Sequence, residues 1–396
     1  MAENANDLSQ REYHARLTDA VRQALEQGAR TVTDLCRNSG GAFPTDVVAV
    51  ARELLGSDLD HWPHRRWPDD ALGTEDAAVP SMPEPHPIDF EWRYTAATAD
   101  ALAKVLASRK ERIGCFGTPS VFVRLVHQSV DAVLVDRNPG LVRHFAPALH
   151  SRMLTADLSQ EQVRPPMQRE DFDTILLDPP WYVSHTLAWV GRALSSLRSG
   201  GRIIVTLFPE LLRPDARRER EDLLTTLQSL GEVRRLDLLP RYTTPVFESE
   251  TLSAFGLADL GQWRTGELFE VTVRDPATQQ LDVPTIENPT WDRVQLGRQV
   301  VAIRNDPATR DLPISVQPVG PTGSFLLRSV SARDPVRQNV TVWTSRNRGA
   351  SVTGTGRAHQ FLARVAGGES PKEVLGTSPF TESRGELISL LALVGW

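Results

Sequence analysis

Four residues, Asp178-Pro179-Pro180-Trp181, stand where the apolar run from Asp173 to Leu177 stops, and their types suit chemistry on an amine nitrogen. Proline has no N–H to give to a sheet ladder, so a strand entering this segment must end there. Beyond that end Asp178 can accept one N–H of an amine, the Pro179 carbonyl can accept a second, and the ring of Trp181 can stack on a flat base. Two acceptors draw the nitrogen lone pair out of conjugation and aim it at an electrophile. Read without chemistry, the same residues are a strand, a proline turn and a buried aromatic plug.

A strand end becomes a site only if other strands end beside it. From Asp89 onward, strand-like and helix-like segments alternate: helix 95–108, strand 112–118, helix 121–128, strand 132–136, helix 141–149, strand 152–157, strand 173–178, helix 184–197, strand 202–208 and helix 215–230. Gly200-Gly201 reads as the stop before strand 202–208. Two last strands, 233–239 and 251–257, have no helix between them and are expected to form an antiparallel hairpin. Such alternation predicts a doubly wound α/β sheet, mostly parallel, whose ligands sit beyond the carboxyl ends of the strands at the topological switch point. Three more strand ends then matter. The first carries Phe116-Gly117-Thr118-Pro119, a glycine loop short of a full dinucleotide fingerprint. The second ends in Asp136, placed to hold ribose hydroxyls, and the third in Asp157, placed to accept from an adenine amino group or to cap a helix.

The chain has 396 residues, more than one hydrophobic core usually spans, so two or three domains are expected. With 40% hydrophobic residues and a mean hydropathy of −0.29 it reads as globular, without a bilayer-spanning run or a signal peptide. Cys36 and Cys115 lie far apart and predict no disulfide, which points to the cytoplasm, and the histidines and cysteines lack metal-ligand spacing. A net charge of −6 argues against a surface that coats nucleic acid generally. Residues 1–60 read as a small helical domain (13–27, 31–38 and 44–55), either winged-helix-like or a cap on the next domain, and residues 61–88 as a proline-rich linker. The catalytic domain is expected over 89–260. Residues 261–396 read as a β-rich accessory domain with strands at 268–273, 299–304, 324–330 and 339–344 and an apolar segment at 386–394. Within it, residues 331–366 hold six arginines against one aspartate, a net of +5, and Arg346, Arg348 and Arg357 lie in glycine-containing loops suited to phosphate.

The element order resembles the Rossmann-like core of class I S-adenosylmethionine-dependent methyltransferases: a mostly parallel seven-stranded sheet with a terminal antiparallel hairpin. More specifically, Phe90-Glu91-Trp92-Arg93-Tyr94, then Cys115-Phe116-Gly117-Thr118-Pro119-Ser120-Val121-Phe122, then Asp178-Pro179-Pro180 look like the N6-adenine-specific methylase family, whose characterised eukaryotic members act on a lysine of translation elongation factor. The resemblance covers roughly residues 90–257. It implies that Phe116 to Pro119 and Asp136 contact S-adenosylmethionine, that Asp178 to Trp181 face the acceptor nitrogen, and that Trp92 and Tyr94 lie on the substrate side. Trp181 departs from that family's usual phenylalanine and is similar to the ending found in N6-adenine methyltransferases of messenger RNA, which order their motifs the other way round. The expected activity is N-methylation, with adenine N6 in RNA or DNA first and protein lysine as the alternative. A catalytically inactive scaffold is a third reading, against which the intact Asp-Pro-Pro-Trp motif speaks.

Overall fold

Strand β4 (Phe172–Leu177) is buried on both faces from Thr174 onward, as a strand inside a parallel sheet must be, and it lies at the centre of a seven-stranded sheet. The computed structural model describes residues 2–62, 84–160, 171–257, 260–279, 281–283, 286 and 288–396. Around β4 stand β1 (Ile113–Phe116), β2 (Ala132–Asp136), β3 (Met153–Thr155), β5 (Leu197–Leu207), β6 (Gly231–Arg235) and β7 (Glu267–Val273), in the order β3-β2-β1-β4-β5-β7-β6. The first five strands of that order run parallel, with Phe116 level with Leu177 of β4 and Val135 of β2. β7 runs antiparallel between β5 and β6. Helices Ala96–Ala107 and Pro119–His127 pack together, as do Val183–Ser196 and Ala216–Leu230.

The antiparallel closure is present, but not where the sequence placed it. Residues 251–257 do not form a strand; most of them lie in the helix Val246–Ala254, where Thr251 bonds back to the Phe247 carbonyl at helical spacing. The partner of β6 is β7, which the sequence reading had put in the accessory domain. Gly200-Gly201 does not end a helix either. Both lie inside β5, Gly200 with φ +72, where the pairing with β4 shifts register between Phe172 and Thr174.

The chain divides into two compact units, neither of them continuous: residues 1–81, 92–244 and 259–287 form the first, and 82–91, 245–258 and 288–396 the second. The expected boundaries at 88/89 and 260/261 therefore do not match the units. Helices Ala2–Glu26, Val32–Asn38 and Pro44–Leu55 belong to the first unit, the second of them opened by a Thr31 capping box. Arg16 pairs with Glu210 at 2.8 Å, and Phe43 meets the Trp263 ring edge-on at 5.5 Å. Both contacts lie inside the first unit, and residues 2–62 contain no strand.

Of the expected linker, residues 63–83 lie outside the described residues. Residues 84–88 are not a linker, because they pack into the second unit: Glu84, His86 and Ile88 are buried, and the His86 ring bonds the Trp343 carbonyl at 2.9 Å. That unit holds a five-stranded antiparallel sheet of β8 (Trp291–Leu296), β9 (Gln299–Arg304), β10 (Ser315–Pro318), β11 (Val342–Thr344) and β12 (Gly349–Thr353), ordered β8-β9-β11-β12-β10. Val301, Ile303, Val342 and Val352 cluster with Phe361, Leu362, Leu387 and Leu390 of two helices, while Ala302 and Trp343 face a second cluster with Ile88. The accessory part is therefore sheet and helix, and the expected strand 324–330 makes only a bridge at Leu326.

The basic stretch is largely engaged within its own unit. Arg346 pairs with Glu84 at 3.2 Å, Arg348 donates to the Ala392 carbonyl, Arg357 donates to Ser383, and Arg364 pairs with Glu369. Arg337 lies over the rings of Phe90 and Trp343. Arg346, Arg348 and Arg357, expected in phosphate-binding loops, each have a partner inside this unit, and these bonds tie loops and helix ends together.

Candidate active site

The carboxyl ends of β1, β2, β3 and β4 bring together four segments distant in sequence. Gly117 N–H donates to the Val135 carbonyl at 2.8 Å, Asp178 N–H to the Phe116 carbonyl at 3.2 Å, and Ala156 N–H to the Asp136 carbonyl at 2.9 Å. The backbone thus locks Gly117, Asp136, Asp157 and Asp178 onto one rim. Asp136 and Asp157 are half-buried. Each carboxylate also shapes its own loop: Asp136 accepts from Asn138 N–H at 2.8 Å, and Asp157 accepts from Ser159 N–H and pairs with Arg137 at 3.4 Å. The helix-cap reading of Asp157 corresponds to a local turn, and its carboxylate also pairs with Arg137.

The side chain of Phe116 is core: it is fully buried against Phe172, so only its backbone can face a ligand. Thr118 and Pro119 are buried as well, with Pro119 opening the helix at its first position, where the missing N–H costs nothing. Gly117 is different. Its φ is +68, and a Cβ added there would lie 2.7 Å from Cη2 of Trp189. Trp189 is fixed in turn by its indole N–H, which donates to Ser159 at 3.1 Å. Gly117→Ala should therefore destabilise the fold by about 1–3 kcal/mol and displace Trp189 from the loop; a urea midpoint equal to that of the parent chain would contradict this.

At β4 the acid is surrounded by aromatic rings. Asp178 is half-buried and accepts from the Tyr242 hydroxyl at 2.7 Å. Tyr94 lies beside Tyr242, with ring centroids 5.0 Å apart, and shares a hydrogen bond of 2.6 Å with Thr206. Short antiparallel pairing of Arg93–Tyr94 with Tyr242–Thr243 holds both tyrosines in place. Trp181 presents its ring to the edge of Tyr242, and Trp92 does likewise from 6.4 Å. Between Trp181 and Trp92 sits the guanidinium of Arg264, 4.0 Å from each ring centroid.

Electrostatics follow from this packing. Burial pushes the Asp178 carboxyl up to about 7, against the opposing pull of the Tyr242 hydroxyl, the Arg264 charge and the Tyr94 hydroxyl. Burial, and then the Asp178 charge, raise both tyrosines well above their ordinary range, so each remains a hydroxyl donor at neutral pH. Proteins place acids near neutrality where a proton must be exchanged.

Sequence reading had Asp178, Trp181, Trp92 and Tyr94 but missed Tyr242 and Arg264. Tyr94, 4% exposed, packs on Tyr242 beside the acid. The ring of Trp181 is not an open platform: it is 7% exposed and faces a guanidinium. Arg346, Arg348 and Arg357 are not brought to Asp178 within one unit, since they belong to the other.

Residues 91–240 match the model of a family described as "Probable N6-adenine methyltransferase". No curated protein matches the chain. Among solved structures, the branched-chain polyamine synthase of Thermus thermophilus, in complex with N4-aminopropylspermidine and 5′-methylthioadenosine, is similar over 70% of this chain and 90% of its own, with 15% identity and a TM-score of 0.50. Its C9 mutein with the same ligands covers 73% of this chain and 97% of its own, again at 15% identity, with a TM-score of 0.52. An S-adenosylmethionine-dependent O-methyltransferase from Thermotoga maritima covers 45% of this chain and 66% of its own at 15% identity, with a TM-score of 0.30. The strand order, the rim of strand ends and the matched stretch agree: the central part of this chain has the fold of a class I S-adenosylmethionine-dependent methyltransferase, and its residues 91–240 are similar to the probable N6-adenine methyltransferase family.

Proposed function

We propose that the chain alkylates the nitrogen of an aliphatic amine seated at Asp178. The observation that carries this reading is the half-buried Asp178 carboxyl, held at about 7 inside an aromatic enclosure that already shelters a cation. The rim fits S-adenosylmethionine: Gly117 offers a backbone approach that a Cβ would close, and Asp136 brings a carboxylate suited to ribose hydroxyls. When bound, S-adenosylmethionine supplies an electrophilic carbon on a sulfonium. Everything else is the work of the chain. An amine reaches the site as an ammonium with a pKa of roughly 10.4. Loss of water around the pair raises the acid and lowers the ammonium, so their proton affinities converge and the proton can pass to Asp178. That frees the nitrogen lone pair. Tyr242, donating to Asp178, fixes the carboxylate so that its other oxygen is directed by geometry rather than by solvent.

Adenine N6 in RNA or DNA is the second reading, supported by the description of the matched family and by the acceptor set of Asp178 and the Pro179 carbonyl. A nucleic-acid partner belongs to that reading, and a protein lysine to the first. A cytoplasmic setting is part of the proposal and rests on the two buried thiols, Cys36 and Cys115. The fold similarity to a polyamine synthase over 73% of this chain supports an amine acceptor and makes the transferred group a second variable.

The test incubates the chain with S-adenosylmethionine, or with its decarboxylated form, and with a linear polyamine, a lysine peptide, RNA or DNA. Mass spectrometry then reads the product and the spent nucleoside. S-adenosylhomocysteine marks methyl transfer, and 5′-methylthioadenosine marks transfer of the aminopropyl arm. An amine product whose rate climbs with pH through neutrality supports the first reading. Modified adenine formed at a rate flat in pH overturns it in favour of the second.

A further inference from the structure

We infer that Arg264 is the resident occupant of the acceptor slot, and that an acceptor reaches Asp178 only after displacing the Arg264 side chain from between Trp92 and Trp181. This deepens the proposed function, on which its reference to an acceptor rests. A guanidinium sandwiched at 4.0 Å from two indole centroids fills the space that a planar or cationic ligand group would take. The sandwich sits at the reacting acid: Trp181 follows Asp178-Pro179-Pro180 directly and packs on Tyr242, whose hydroxyl binds Asp178.

The backbone beneath Arg264 is anchored, so the gate must be its side chain. Tyr242 N–H donates to the Arg264 carbonyl at 3.1 Å, Gly266 N–H donates to the Pro240 carbonyl at 2.9 Å, and Arg241 bridges Thr265. A Cβ on Gly266 would stand 2.7 Å from Thr206 and 3.1 Å from Trp181, so this turn is pressed against the site wall. Trp92 and Arg264 are both half-buried whereas Trp181 is buried, which makes the Trp92 side the mouth of the slot and gives the guanidinium a route outward. The charge of Arg264 also lowers Asp178, so the occupant keeps the acid partly ionised until a cationic acceptor takes its place.

The test uses the full chain and indole fluorescence. Methylguanidinium chloride is titrated into the parent chain, Arg264→Ala, Arg264→Lys and the double variant Arg264→Ala/Trp92→Ala. The emptied slot of Arg264→Ala should bind the probe at least about tenfold more tightly than the parent chain, Arg264→Lys should fall between them, and the double variant should lose the gain. Affinity for S-adenosylhomocysteine, measured by calorimetry on the same samples, should be unchanged in Arg264→Ala. Equal probe binding by the parent chain and Arg264→Ala, both folded by their melting curves, would overturn the inference. So would a gain that survives loss of Trp92. None of these readouts requires turnover, so failure of the proposed activity would leave them interpretable, and failure here would leave the amine reading to its own assay.

Discussion

Asp178→Asn should lower alkyl transfer to an aliphatic amine by about 10²–10⁴-fold while making the folded chain more stable. Both effects come from the same burial. As a base the carboxylate must be ionised, and with its pKa near 7 it becomes so only as pH rises through neutrality, so the parent rate should climb to that point and then flatten. Asparagine still accepts a hydrogen bond but cannot take the proton. Stability moves the other way. The folded-state pKa lies above the unfolded value, so between about pH 4 and about pH 7 the folded chain keeps a proton that the unfolded chain has lost. Stability therefore declines as pH rises across that window and stays lower above it. Removing the charge should recover up to about 4 kcal/mol above pH 7, the equivalent of roughly three pKa units. Thermal melts of both chains from pH 4 to 9 decide the matter: parallel curves would show that Asp178 is not the strained acid. A carboxamide variant that retains full amine transfer would remove it from the reaction.

Asp136→Ala should weaken S-adenosylmethionine binding by about 10²–10⁴-fold, the product of two charge-assisted hydrogen bonds of roughly 1.5–3 kcal/mol each. The parent Asp136 also accepts from Asn138 N–H, so the alanine variant disturbs a turn as well as a charge. Asp136→Asn separates the two, because an amide oxygen can keep the turn while the ionic contribution is lost. Calorimetry should show both variants weakened, the alanine more so, with melting temperatures near that of the parent chain. An asparagine variant that binds as tightly as aspartate would mean that Asp136 serves its loop and not the ribose.

Much of the site was legible before folding because it is local. An apolar strand that stops at Asp-Pro-Pro has few other meanings, and alternation of period-two and period-3.6 segments dictates a parallel sheet whose strand ends converge. The strand ends at Gly117, Asp136, Asp157 and Asp178 follow from that rule, as does a mostly parallel doubly wound sheet, while the class I methyltransferase core came from the resemblance in element order and motifs. Tertiary structure decided what surrounds the acid. Tyr242 arrives from 64 residues beyond Asp178 through a two-residue strand with Arg93–Tyr94, a pairing too short to leave a periodic signal. Arg264 comes from the turn before β7, and the sequence reading assigned β7 to another domain because its alternation is the same whichever sheet it joins. Period-two patterning says that a strand has a buried face; it does not say which partner covers it. Charge was equally silent. Six arginines in residues 331–366 read as a phosphate surface, yet Arg346, Arg357 and Arg364 find Glu84, Ser383 and Glu369 once the chain folds. Composition counts charges, and only packing pairs them.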